Sequence, residues 1–289
     1  MNLDRSARLK SGLNPVAVSL KYRNRFEPDK PMTIQPMISS ALVITARASA
    51  IPRSYFRTRM DIDHKQDESP VTIADRETEK FIRDALQELY PEHAIFGEEF
   101  GREASDSDFE WIIDPIDGTR AFVTGMPLYG MLLALLKNGA PEFGIVRMPE
   151  LDEVYSGDGE RSLRNDSDLL QVSKVTRLDD AVIYLNEGEK IMPRHPRLFE
   201  RLCSSGRLRR LGYDCYPHVL LADGRVDLVI DFDLKPYDYL ALVPVIEGAG
   251  GLISDWRGKR LDLHSDGRII SAATPELQHE ALQLIAACG

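Results

Sequence analysis

The sequence predicts a protein of α+β/α/β class, with an antiparallel sheet in its first half and alternating strands and helices in its second. Three observations carry that expectation. Asn138-Gly139 separates two apolar runs, residues 129–137 and 142–148, the strongest short hairpin signal in the chain. After about residue 170 short strand-like runs alternate with segments of helical period. Acids recur where apolar segments end, and such residues meet only if the fold gathers strand ends at one edge, as α/β sheets do.

Taken in chain order, residues 1–35 stand apart. Arg5, Arg8, Lys10, Lys21, Arg23, Arg25 and Lys30 face few acids and show no period, which reads as a poorly ordered N-terminal extension without a catalytic role. A flexible arm, a targeting peptide or a stretch upstream of a start at Met32 or Met37 would give the same pattern. Over residues 75–90, Phe81, Ile82, Ala85, Leu86 and Leu89 share one helical face, Thr72 and Asp75 form a capping pair, and Pro91 stops the run. His93-Ala-Ile-Phe96 is a short strand leading into Gly97-Glu-Glu99. Trp111 to Ile113 reads as the end of a buried strand that stops at Asp114-Pro115 and hands the Asp114 side chain to solvent. The hairpin follows, and Val154-Tyr155 adds a further antiparallel strand.

In the second half strands are expected at residues 181–185, 209–212, 226–231, 251–254 and 269–272, and helices at 196–203, 215–222, 237–249 and 275–287. Pro244 should kink the third of these helices. Gly248-Ala-Gly-Gly251 ends that helix, so it reads as a helix stop rather than a phosphate loop. Residues 36–170 and 171–289 are expected to form two packed sub-domains, with the site between them.

The most informative segment is Trp111-Ile-Ile-Asp-Pro-Ile-Asp-Gly-Thr119. Asp114 and Asp117 stand three residues apart on a rigid turn and repel one another unless a cation neutralises them. Oxygen ligands of this kind suit Mg²⁺ or Mn²⁺ better than Zn²⁺. The ordinary alternative is a turn that Asp114 caps. Glu98 and Glu99 end a short strand, and Asp238 opens an apolar helix, where an N-terminal cap would explain it equally well.

Composition narrows the class. At 289 residues with 43% apolar content the chain can build a large core, and a net charge of −10 argues against a nucleic-acid partner. Arg207, Arg209 and Arg210 form a local basic cluster that fits a solvated strand edge as well as an anion contact. Three cysteines without a Cys-x-x-Cys spacing fit a reducing, cytoplasmic setting, and six histidines without paired ligand spacing argue against zinc. No apolar run is long enough to cross a bilayer.

The set of Ser69-Pro-Val-Thr-Ile-Ala-Asp75, Gly97-Glu-Glu99, Trp111 to Thr119 and Lys235 to Gly251 resembles the inositol monophosphatase superfamily in order and spacing, over roughly residues 38 to 289. Asp114 to Phe122, Gly212-Tyr-Asp-Cys-Tyr216 and Leu234-Lys-Pro-Tyr-Asp-Tyr239 look like its histidinol-phosphate phosphatase branch, the simpler inositol phosphatases carrying Trp-Asp in place of Tyr237-Asp238. The resemblance implies a layered αβαβα sandwich of the inositol monophosphatase and fructose-1,6-bisphosphatase type. It implies two or three Mg²⁺ ions, with Mn²⁺ as a substitute, held by Glu98, Asp114, the Ile116 carbonyl, Asp117 and Asp238. Asp75 and Thr119 would orient the attacking water, and Glu99 would help hold a weaker third ion. Backbone amides of Gly118 and Thr119 would cradle the phosphate. Asp231, where related proteins often have Glu, would contact the organic part of the substrate.

The implied reaction is hydrolysis of a small phosphorylated metabolite, L-histidinol phosphate in the first place and inositol, sugar or nucleotide phosphates in the second, by a homodimer. Asp214 and Asp231 are suited to attract a substrate ammonium group, and equally suited to turns or caps. Such hydrolysis requires on the order of 20 kcal/mol or more of barrier lowering. Paired divalent ions about 3.5–4 Å apart can supply most of it. Phosphatases that form an aspartyl-phosphate use Asp-x-Asp; the three-residue gap and Pro115 here fit direct attack by water instead.

Overall fold

The computed structural model describes residues 34–59, 62–64, 70–212 and 214–288. Most of the expected N-terminal extension over 1–35, as well as Ser69 and Tyr213 of the quoted motifs, lies outside these described residues. Helices α1 (Gln35–Ala48) and α2 (Ala50–Tyr55) come first, and the antiparallel pair β1 (Ile62–His64) and β2 (Pro70–Thr72) leads into the long helix α3 (Ile73–Leu89). There follow β3 (Ala94–Gly97), β4 (Gly101–Glu103), β5 (Phe109–Asp117), the short helix α4 (Thr119–Thr124), β6 (Gly130–Lys137), β7 (Ala140–Met148), β8 (Glu153–Gly157), β9 (Ser162–Arg164) and β10 (Asp168–Leu169). These strands form one sheet in the order β10-β9-β8-β7-β6-β5-β3-β4, antiparallel except where β3 runs alongside β5.

The second half contributes β11 (Val182–Leu185), α5 (Gly188–Arg194), α6 (Pro196–Ser204), β12 (Leu208–Leu211), α7 (Tyr216–Ala222), β13 (Leu228–Asp231), α8 (Pro236–Tyr239), α9 (Leu242–Gly248), β14 (Leu252–Asp255), β15 (Ile269–Ala272) and α10 (Pro275–Cys288). The second sheet has the order β12-β11-β13-β15-β14. Its first three strands are parallel, so their C-terminal ends share one edge. Helix α3 packs on β5, and α7, α8 and α9 lie between the two sheets. Ile112, Leu132 and Val146 of the first sheet meet Val219, Leu242 and Val245 of that helical layer, which in turn covers Val229, Ile253 and Ile269 of the second. On the outer face of the second sheet, Ile183, Leu228 and Ile270 pack against Ile191 of α5, Leu198 of α6 and Leu277 of α10. The layering is α/β/α/β/α. Among the described residues no helix is long and apolar enough to cross a membrane.

Local chemistry explains several elements. Asn138 and Gly139 both have positive φ, 51° and 77°, the backbone of a type I′ hairpin whose twist matches the flanking strands. At the end of α9 the amides of Gly250 and Gly251 bond to the carbonyls of Glu247 and Ile246, a helix stop as expected. The expected helix over 237–249 is not merely kinked. It divides into α8 and α9 at Leu240 and Ala241, because Pro244 lacks the N–H that would bond the Leu240 carbonyl and its ring crowds that oxygen.

Two further expectations need correction. The buried face of α3 consists of Ala74, Asp75, Thr78, Glu79, Ile82, Arg83 and Leu86, rotated from the apolar stripe toward charged positions, while Leu89 is 53% exposed. Strand β5 does not stop at Asp114; it continues to Asp117, and the Asp114 side chain is buried rather than turned to solvent. The arginine cluster lies at the exposed edge strand β12, where Arg209 donates to the carbonyls of Ser205 and Gly206 and Arg207 to that of Asp180.

Candidate active site

The centre of the site is an irregularity in β5. Asp114 pairs with Leu132 and Asp117 with Gly130, so β5 spends three steps where β6 spends two. In an unbroken strand residues three apart point to opposite faces; the extra residue brings Asp114 and Asp117 to the same side. Pro115 has no amide to give to the ladder, and the Ile116 amide turns back to Asp114 Oδ1 at 3.0 Å. Carboxylate oxygens of Asp114, Asp117 and Asp238 lie within 4.8 Å of one another.

Neighbouring elements bring in the other acids. Glu98 follows β3, its amide extending the ladder to the Ile113 carbonyl at 3.1 Å, and its carboxyl adds to the negative charge around Asp114. Asp75 caps α3: its Oδ2 accepts from the Thr72 amide at 2.8 Å and hydroxyl at 2.6 Å, while Thr72 Oγ1 accepts from the Ala74 amide. Its other oxygen is 3.3 Å from Thr119 Oγ1, which also lies 3.2 Å from the Ile116 carbonyl, so the single hydroxyl proton has two acceptors within reach. Asp238 holds α8 in the same manner as Asp75 holds α3, accepting from the Lys235 amide at 2.7 Å, so it is a cap and a member of the cluster at once.

The parallel strands of the second sheet end at the same place. Asn186 follows β11, Asp231 closes β13, and Asp214 lies in the connection from β12 to α7. Asp214 has φ 52° and presses against Gly118: a Cβ on that glycine, itself at φ 89°, would stand 2.6 Å from Asp214 Oδ2. The next amide, of Cys215, donates to Asp117 Oδ2 at 2.5 Å. Asp231 sits behind this layer. Its oxygens take hydrogen bonds from Asn186 Nδ2 (2.6 Å) and the Phe232 amide (2.8 Å), and its Oδ2 pairs with His218 Nε2 (3.1 Å), whose Nδ1 meets Ser271 Oγ at 2.8 Å. Asp231 is 1% exposed, and through Asn186, whose Nδ2 also donates to the Asp214 carbonyl, it is tied to Asp214.

Asn186, His218 and Ser271 were not foreseen in the sequence, nor was Glu79, a fully buried carboxylate beneath Glu99. The only signal for Glu79 is its position, one helical turn after Asp75 on the same face.

Burial and mutual repulsion set the electrostatics. Asp114 is held well above the ordinary carboxylate range by burial, then by Glu98, Asp117 and Asp238. Asp117 is raised by burial and by Asp214 and Asp238, against the opposing Cys215 amide. Burial pushes Asp238 up to about 7 despite the Lys235 amide, Asp214 to about 7 with help from Glu187 and Asp231, and Asp75 to about 6 with Glu99 adding repulsion. Among the described residues no Lys or Arg stands within ion-pair distance of Asp114, Asp117 or Asp238. Converging hard oxygens whose negative charges repel one another are a donor set that suits a divalent cation of the Mg²⁺ type.

Comparison with known proteins agrees with this geometry. The profile of the inositol monophosphatase family matches residues 33–289. The chain is 39% identical to the chloroplastic bifunctional phosphatase IMPL2 of Arabidopsis thaliana, covering 80% of this chain and 69% of the relative. It is 35% identical to a histidinol-phosphatase of Chlorobaculum parvum, over 81% of this chain and 91% of the relative. An inositol monophosphatase structure from Zymomonas mobilis superposes with a TM-score of 0.80 at 35% identity, over 89% of this chain and 100% of that one. By sequence, layering and the architecture of its acidic centre, the chain belongs to the inositol monophosphatase family of phosphatases.

Proposed function

We propose that the protein is a Mg²⁺-dependent phosphomonoesterase whose substrate is L-histidinol phosphate. The observation that carries the reading is Asp214, an acid from the second half of the chain packed on Gly118 in the turn that would cradle the phosphate. Glu187, itself paired with Lys190, and Asp231 add to the negative field at Asp214, and Arg120 opposes it. A substrate whose organic part bears an ammonium group gains from that field, whereas a neutral polyol does not. The histidinol-phosphatase name of the Chlorobaculum relative supports this choice. The inositol monophosphatase neighbour supports the alternative, the same chemistry on a polyol phosphate.

In this reading Glu98, Asp114, the Ile116 carbonyl, Asp117 and Asp238 hold the metal, with Glu99 beside them. Divalent cations held there would supply Lewis acidity, lowering the pKa of the attacking water and neutralising charge on the leaving oxygen. Thr119 donates its hydroxyl proton to Asp75 and leaves its oxygen lone pairs for the water, which fixes the direction of attack. Amides of Gly118 and Thr119 face the phosphate, and glycine at 118 lets the backbone approach it. The products are the free alcohol and inorganic phosphate, with no acyl or phosphoryl group left on the protein.

Phosphate release from a panel of histidinol phosphate, inositol 1-phosphate, sugar phosphates and nucleotides tests the substrate. The expected result is highest kcat/KM for histidinol phosphate. Asp214→Asn should raise KM for it by about tenfold and leave KM for inositol 1-phosphate within about twofold, since one charge contact is removed. No release from histidinol phosphate beside rapid release from inositol 1-phosphate would replace the first reading by the second.

A further inference from the structure

We infer that Glu79 is a positioning residue for the metal site, setting the turn that carries Glu98 and Glu99; the inference rests on the proposed role of that turn. Glu79 is fully buried on α3, one turn beyond Asp75 and on the same face. Its Oε2 accepts the Glu99 amide at 2.6 Å and its Oε1 the Phe100 amide at 3.2 Å. The main chain of the turn therefore rests on a carboxylate supplied by a helix. Gly97 allows this approach, because a Cβ there would stand 2.1 Å from Glu79 Oε1.

Arg83, 4% exposed, holds the carboxylate from the other side through Nε at 2.7 Å. Its two remaining nitrogens bond the Gly101 carbonyl and, at 3.0 Å, Glu103 Oε1, so both ends of the turn are tied to the same ion pair. A pair serving only to join helix and sheet would need no contact with consecutive amides beside a ligand. One helix thus fixes both Asp75 and the backbone on which Glu98 depends, and a shift of Glu79 changes where Glu98 points without removing any ligand atom.

Calorimetric Mg²⁺ titration of the full chain, with Tm recorded alongside, tests this. Glu79→Ala should weaken Mg²⁺ binding by about tenfold or more, the scale on which groups behind metal ligands act. The Mg²⁺ concentration for half-maximal activity should rise in parallel, with KM for the phosphate ester little changed at saturating Mg²⁺. Glu79→Gln keeps the shape and one acceptor, so it should fall between the two. It also decides the matter if the alanine variant does not fold. A lowered Tm with unaltered Mg²⁺ affinity in the variant that folds would overturn the inference. Absence of Mg²⁺ binding by the unsubstituted protein would instead overturn the metal reading itself.

Discussion

At the scale of single residues, the site depends on charges that repel each other. Asp117→Asn removes one of the converging oxygens and should lower kcat by on the order of a thousandfold, several kcal/mol of lost charge stabilisation. The same substitution relieves the repulsion from Asp214 and Asp238 that opposes ionisation of Asp117, so the metal-free variant should melt no lower than its parent at pH 8. Measuring kcat and Tm on one preparation checks both; a loss of activity accompanied by a lower Tm would point to misfolding. Gly118→Ala should be inactive for a different reason, since its Cβ would collide with Asp214 and strain a backbone at φ 89°.

Individual elements show which features were legible in the sequence. Short-range signals were: the Thr72 and Asp75 cap, the Asn138-Gly139 hairpin and the stop after Gly248 each involve residues within a few positions of one another. Asp114, Asp117 and Asp238 could be named from their places at element ends, and the structure does bring them together. The register shift in β5 could not be read, because the two-against-three pairing with β6 is a property of two strands. Glu79 was equally hidden, its acceptor role being defined by amides twenty and twenty-one positions along the chain. The apolar stripe of α3 misled because the face that binds the first sheet also carries the acids it positions. Gly139→Ala tests the hairpin: nothing lies within 4 Å of the new Cβ, so the left-handed backbone alone should cost about 1–2 kcal/mol, read by denaturant unfolding, with turnover unchanged.

For the whole molecule, the raised carboxyls make stability depend on pH and on metal together. Between their ordinary value near 3.8 and the folded values of about 6 to 7 for Asp75, Asp214 and Asp238, the folded state binds more protons than the unfolded state. Stability of the metal-free protein should therefore fall as pH rises through about 4 to 7 on account of these groups. Added Mg²⁺ should raise Tm more at pH 8 than at pH 5.5, about 2–4 °C for each kcal/mol recovered. An equal Mg²⁺ effect at both values would contradict the cluster's electrostatics. The arrangement of ligands also bears on how fast the molecule comes apart. Asp114 and Asp117 arrive on the first sheet and Asp238 on the helical layer from the second half, so a divalent ion held between them would be a clasp that closes only once both halves have docked. Mg²⁺ should then slow unfolding in stopped-flow experiments while leaving the rate of folding nearly untouched.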